Sequence, residues 1–239
     1  MISGWAHPAE SLAPLAEKLS ARFAVEVRSA TEQMEQENLP EVDFIVGHSL
    51  GGLLVLEHLP ASCKKLVLLS SSARFCATSD YPCGVQERVL KRMIQQFKRQ
   101  PEAVLSAFFA QVHHPASPQN LSPCSASPEQ LLSGLEYLLQ ADLRERISSI
   151  NLPVLLLHGT QDAIIPISAS EWLLDHLPQA QLQRIENGGH ALFAHQTDLL
   201  AQEISLFLDR RSDGLVACPC KKRDEAVAST KAQGEELTP

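Results

Sequence analysis

No stretch of this chain is apolar for long enough to cross a membrane. The longest runs, such as residues 154–157, fall far short of the roughly 20 residues that a spanning helix needs. The opening Met1-Ile2-Ser3-Gly4-Trp5 lacks both the basic start and the apolar core of a secretory signal. Basic charge is also scarce: 20 Lys and Arg stand against 28 Asp and Glu, for a net charge of −8. Generic nucleic-acid binding needs a basic surface against phosphate, so that class is excluded. These absences predict a cytosolic protein. Its six cysteines (Cys63, Cys76, Cys83, Cys124, Cys218 and Cys220) are then expected to be reduced thiols. Cys218-Pro219-Cys220 lacks the second ligand pair of a zinc site, so neither metal nor cofactor is expected.

What remains is a soluble globular composition, 44% hydrophobic and 20% charged over 239 residues, enough for one well-buried domain. Short apolar runs alternate with amphipathic stretches, the pattern of a parallel sheet covered by helices. Strands are predicted at residues 23–27, 43–47, 65–70, 153–158 and 181–186, with Met1-Ile2 as the end of another. Helices are predicted at 8–21, 51–59, 168–177 and 199–210. Between the third and fourth of those strands, residues 72–149 carry helical patterns at 85–100, 101–112 and 128–147. A Pro- and Ser-rich stretch, 114–128, breaks that insertion. Such an insertion is expected to cover the carboxyl edge of the sheet, where open α/β folds bind ligands. The domain is predicted over residues 1–211, and residues 212–239 as a mobile tail without apolar periodicity.

Gly47-His48-Ser49-Leu50-Gly51 fits the G-x-S-x-G turn in which a strand delivers a serine to the start of a helix. A turn that sharp needs small residues on either side, and Gly47 and Gly51 meet that need. Ser49 is therefore the candidate nucleophile, against the alternative of an incidental serine in a glycine-rich turn. Serine needs a base to remove its proton, and in this arrangement the acid and then the histidine follow in sequence. Asp162 lies on the loop after the strand at 153–158 and is the candidate acid. The alternatives are that it only caps the next helix, or that Asp142 or Asp175 takes the role. His190 follows the next strand and two glycines, which favours it as the base; His195 is the competitor. His7, His58, His113, His114 and His176 read as surface or packing residues. The oxyanion donors are predicted to be the backbone N–H groups of Leu50 and Trp5, with Trp5 alternatively a packing residue.

The chain resembles the carboxylesterases that remove the methyl group from pimeloyl-[acyl-carrier protein] methyl ester in biotin synthesis. The resemblance runs from about Ser3 to Leu208. It is carried by Gly4-Trp5, by Gly47-His48-Ser49-Leu50-Gly51-Gly52 and by Ser70-Ser71-Ser72-Ala73-Arg74-Phe75. It continues in residues 134–144, then in His158-Gly159-Thr160-Gln161-Asp162 and Gly189-His190-Ala191. The resemblance implies an α/β-hydrolase fold with a helical lid, a Ser49–His190–Asp162 triad, and Trp5 and Leu50 as oxyanion donors and substrate contacts. It also implies an ester substrate, small or carried on acyl-carrier protein. At the start the chain departs from the family. Ser3-Gly4-Trp5-Ala6 stands where His-Gly-x-Gly is usual, and Arg28-Ser29-Ala30-Thr31 where a glycine-rich loop is usual. The strands normally preceding these loops are missing, so the sheet begins almost at the catalytic loop, as a compact variant or a truncated start. Within residues 85–100, Arg88, Lys91, Arg92, Lys98 and Arg99 form a local positive patch, either a docking site for an acidic carrier protein or an ordinary solvated face. The apolar positions of the same helix suit a medium-length acyl chain, and a monomer is expected.

Overall fold

A computed structural model describes residues 1–36, 38–117 and 125–210. Four strands, β1 (Phe44–His48), β2 (Lys65–Leu69), β3 (Val154–Gly159) and β4 (Ala180–Ile185), run parallel in the order β1-β2-β3-β4. The register pairs Val46 with Val67, Val67 with Leu155 and Leu155 with Gln181. The aliphatic runs explain the central strands. β2 and β3 are buried at every position, as parallel strands covered on both faces must be.

Successive strand residues point to opposite faces, so the two faces bury separate sets of side chains. Leu66, Leu68, Val154 and Leu156 join one apolar core with α3 (Leu50–Glu57), α4 (Glu87–Phe97), α6 (Pro128–Gln140) and α8 (Ser168–His176). Val67, Leu69, Leu155 and Leu157 join a second core with α1 (Ala13–Ser20), α9 (Leu192–His195) and α10 (Thr197–Asp209). Helix α3 lies between the sheet and the inserted helices, and every residue from Leu50 to Leu56 is buried. The remaining α-helices among the described residues are α2 (Ala30–Met34), α5 (Pro101–Val112) and α7 (Arg144–Ile147). Capping boxes start α2 and α6: Ser29 with Glu32, and Ser127 with Gln130.

Two expectations are corrected. Residues 23–27 form no strand. Among the described residues they meet the Met1–Ser3 segment, which pairs through isolated bridges of Ile2 with Arg28 and with Gly47. Too few residues face each other there for a ladder. The helix predicted over 128–147 is instead two, because the chain turns extended at Ala141 (ψ 125°). There Asp142 bridges to Arg74, and the Leu143 N–H donates to Ala73 O at 2.9 Å. Helices α4 to α7 all fall between β2 and β3, within the predicted insertion. No described helix is long and apolar enough to cross a membrane. The predicted tail at 212–239, with Cys218 and Cys220, lies outside the described residues, as does Cys124; Cys63, Cys76 and Cys83 are free thiols.

Candidate active site

Strand β1 ends at His48, and α3 begins at Leu50, leaving Ser49 as the single residue that turns the chain. Its backbone adopts φ 52° and ψ −118°, a left-handed conformation that a non-glycine residue holds only when its surroundings impose it. Three glycines make the turn possible. A Cβ on Gly47 would come within 2.7 Å of Gly52 Cα, one on Gly51 within 2.4 Å of Ser3 O, and one on Gly52 within 2.3 Å of Ser71 Oγ. Ser49 N–H donates to Leu69 O at 3.0 Å, and Ser71 Oγ–H donates to Ser49 O at 2.9 Å. The serine is thus locked by β2 on one side and the Met1–Ser3 segment on the other.

Asp162 occupies the loop after β3. One carboxylate oxygen accepts the N–H groups of Ile164 (2.8 Å) and Ile165 (2.9 Å). The other lies 2.8 Å from His190 Nδ1 and 3.3 Å from His158 Nε2. Burial alone would raise its pKa; His190 and His158 outweigh that and hold the carboxyl well below the usual range. Asp162 does not cap α8, whose N-cap residue is Ile167. Asp142 is engaged by Arg74 and by Arg144, and Asp175 is exposed on α8.

His190 follows β4 through a turn in which Asn187 has φ 57°. The turn presses against the insertion: a Cβ on Gly189 would lie 1.9 Å from His114 O, and Ala191 N–H donates to Val112 O at 3.1 Å. The imidazole is buried, and Nδ1 faces Asp162. His195 is turned elsewhere, with Nε2 2.8 Å from His113 Nδ1. His58, His114 and His176 are exposed. His7 is fully buried beside His48, and burial, ahead of its neighbours, lowers its pKa to about 4. Sequence reasoning read His7 as a surface or packing residue, and the structure packs it; His48 was given no role of its own. The signal for His48 was its place inside the elbow motif.

Leu50 follows Ser49 at the start of α3, and Trp5 lines the same cavity as Ser49. Among the described residues neither backbone N–H donates to an acceptor, which leaves both free for a ligand oxygen. The Trp5 side chain is also a packing residue. Its indole Nε1–H donates to Leu131 O at 2.7 Å, and its ring meets Phe108 edge-on at 4.8 Å. Ser49 and Trp5 open into a cavity of about 450 Å³ roofed by the inserted helices, with Phe75, Leu90, Met93, Phe108, Leu135 and Ile164 among its walls. Arg92, Gln96, Gln100 and Gln111 also line it. A larger groove of about 670 Å³ along β1 holds none of the predicted site residues. Arg88, Lys91, Arg92, Lys98 and Arg99 are all exposed; Lys91 pairs with Glu87, and Lys98 with Glu136 at 3.3 Å. Among the described residues no cluster of His, Cys, Asp or Glu could hold a metal ion.

Residues 18–197 match the family model described as "Serine aminopeptidase, S33". The pimeloyl-[acyl-carrier protein] methyl ester esterase of Aromatoleum aromaticum is 34% identical over 181 residues, covering 67% of this chain and 72% of the relative. The enzyme of the same name from Nitrosomonas europaea is 28% identical over 222 residues, covering 81% and 88%. Among solved structures, an esterase from Exiguobacterium antarcticum superposes with a TM-score of 0.75 at 20% identity, over 87% of this chain and 91% of that one. A hydrolase from Oleispira antarctica gives 0.75 at 16% identity, over 88% and 90%. The chain belongs to the α/β-hydrolase family described as serine aminopeptidase, S33, and within it is a carboxylic-ester hydrolase.

Proposed function

We propose that this enzyme removes the methyl group from a pimeloyl chain carried on acyl-carrier protein, by way of an acyl-enzyme on Ser49. The observation that carries the mechanism is the strained Ser49 turn, opening into a mostly apolar cavity, together with the buried Asp162–His190 pair at 2.8 Å. His190 takes the Ser49 proton on Nε2 as the hydroxyl oxygen attacks the ester carbonyl. Asp162, bonded to Nδ1, fixes the tautomer and stabilises the imidazolium. The oxyanion accepts the N–H groups of Leu50 and Trp5. His190 returns the proton to the departing methoxide, and methanol leaves. Water, deprotonated by His190, then attacks the acyl-enzyme and releases the free carboxyl group and Ser49.

The substrate reading draws on the names of the curated relatives and on two features of the insertion. The cavity it roofs is walled mostly by apolar side chains, as a medium-length acyl chain requires, and the insertion's exposed surface carries Arg88, Lys91, Lys98 and Arg99, with Arg92 at the cavity wall, for an acidic carrier. On this reading residues 1–211 are one hydrolase domain, residues 72–149 its lid, and the enzyme works as a cytoplasmic monomer without a cofactor.

The test compares demethylation of the carrier-bound methyl ester with hydrolysis of p-nitrophenyl esters of increasing chain length. Preference for the carrier-bound ester by kcat/KM supports the reading. Turnover of short p-nitrophenyl esters alone makes the enzyme a general short-chain carboxylesterase or a carbon–carbon bond hydrolase. No turnover of any ester, with no labelling by a fluorophosphonate, makes it a binding protein on a hydrolase scaffold.

A further inference from the structure

His48, the residue before the candidate nucleophile, reaches across the site to the backbone of the candidate base. Its Nε2 lies 3.2 Å from the carbonyl oxygen of His190, 142 positions along the chain. A carbonyl oxygen can only accept, so the facing ring nitrogen carries the proton and His48 is the neutral Nε2–H tautomer. The ring is fully enclosed. It meets the His190 ring at 4.9 Å, the Phe193 ring at 4.9 Å and the His7 ring at 5.5 Å. Gly4 closes another side: a Cβ there would come within 2.8 Å of His48 Nδ1 and 3.0 Å of Ser49 Cβ. With no room to rotate, the ring holds one donor on one acceptor. Burial and then the adjacent His190 keep the imidazole well below its ordinary pKa, so the neutral form persists through neutral pH.

The loop that carries His190 is tied to the loop after β3, where Gly188 O accepts the Gln161 N–H at 2.9 Å and Asn187 N–H donates to Thr160 Oγ1 at 3.2 Å. Those bonds lie on the far side from Ser49's strand. The His190 loop is built from Asn187, Gly188 and Gly189, which restrict the backbone little. Asp162 fixes the imidazole and Val112 O accepts the Ala191 N–H, but neither belongs to the strand that delivers Ser49. The His48 bond does.

We infer that His48 is a positioning residue, whose Nε2–H···O=C bond to His190 sets the base against the nucleophile one residue away. The inference rests on Ser49 and His190 being nucleophile and base. Where only reacting-atom geometry changes, rates fall while binding holds. In the full-length enzyme acting on p-nitrophenyl butyrate, His48→Phe should lower kcat by about ten- to a hundredfold with KM within about twofold. The rate of fluorophosphonate labelling should fall in proportion. His48→Gln, which offers an amide N–H toward the same carbonyl, should stay within about threefold of wild type. Wild-type kcat in His48→Phe overturns the inference, and so does an equal loss in both variants. Should His48→Phe fail to fold, long-range 1H–15N spectra of the wild type decide. A proton on Nε2 of His48 is the result expected, and a proton on Nδ1, or a charged ring at neutral pH, overturns it. Ser49→Ala separates the two levels: an active Ser49→Ala sinks the catalytic reading itself, whereas an inactive one beside a fully active His48→Phe sinks only the role of His48.

Discussion

Asp162 and His190 face each other at 2.8 Å with both side chains out of solvent, at the ends of loops that leave neighbouring strands. The acid's remaining oxygen is saturated by two backbone N–H groups, so its orientation is fixed before any substrate arrives. An amide in place of the carboxylate would present one neutral oxygen at most. It could not stabilise an imidazolium. Asp162→Asn is expected to lower kcat by about three to four orders of magnitude while the fold persists. Steady-state kinetics on a p-nitrophenyl ester, beside circular dichroism, measure both.

The elbow gives a prediction about packing. Because a Cβ on Gly51 would lie 2.4 Å from Ser3 O and 2.6 Å from Ile2 O, Gly51→Ala must push the Met1–Ser3 segment off the turn. That segment leads directly to Trp5. Urea unfolding should show a loss of roughly 1–3 kcal/mol, as overpacking typically costs. Activity should fall further than stability, since the loop proposed to hold the oxyanion moves with the segment.

The buried histidines predict a pH dependence of stability. His7 is held at about 4 in the folded enzyme against 6.5 when exposed, chiefly by burial. Between those values the unfolded chain binds a proton that the folded chain refuses, so stability falls as pH drops from 6.5 toward 4. Above 6.5 the effect vanishes. Its full extent is on the order of 3 kcal/mol for His7. Urea midpoints measured from pH 7 to 4.5 should decline, and His7→Asn should flatten that decline whatever its stability at pH 7.

Trp5 ties the Ser3–Ala6 loop, the proposed oxyanion loop, to the inserted helices through its indole N–H on Leu131 O. Trp5→Phe keeps a ring in place but removes that donor. The enzyme should lose about 1 kcal/mol. Amide exchange in α6, where Leu131 lies, should quicken more than exchange in the strands.

The sheet and the three candidate catalytic positions were legible in the sequence because their signals are local. Aliphatic runs mark β2 and β3; glycines at 47, 51 and 189 mark backbones pressed against something. Where a feature depended on a distant partner, sequence reasoning went astray. Residues 23–27 look like a strand, but strand formation needs a facing segment longer than Met1–Ser3. The break at Ala141 comes from Asp142 meeting Arg74, 68 positions away, with no proline or glycine to announce it. His48 went without a role for the same reason. What distinguishes it is the company it keeps in the fold, with the rings of His190 and Phe193 each at 4.9 Å.

The central claim is that Ser49 carries the acyl group. Mass spectrometry of the enzyme quenched during turnover of a slow ester, followed by peptide mapping, tests it most directly. The account predicts an acyl adduct on the peptide containing Ser49, with both adduct and turnover absent from folded Ser49→Ala. An adduct on another residue, or hydrolysis that survives in Ser49→Ala, would contradict it.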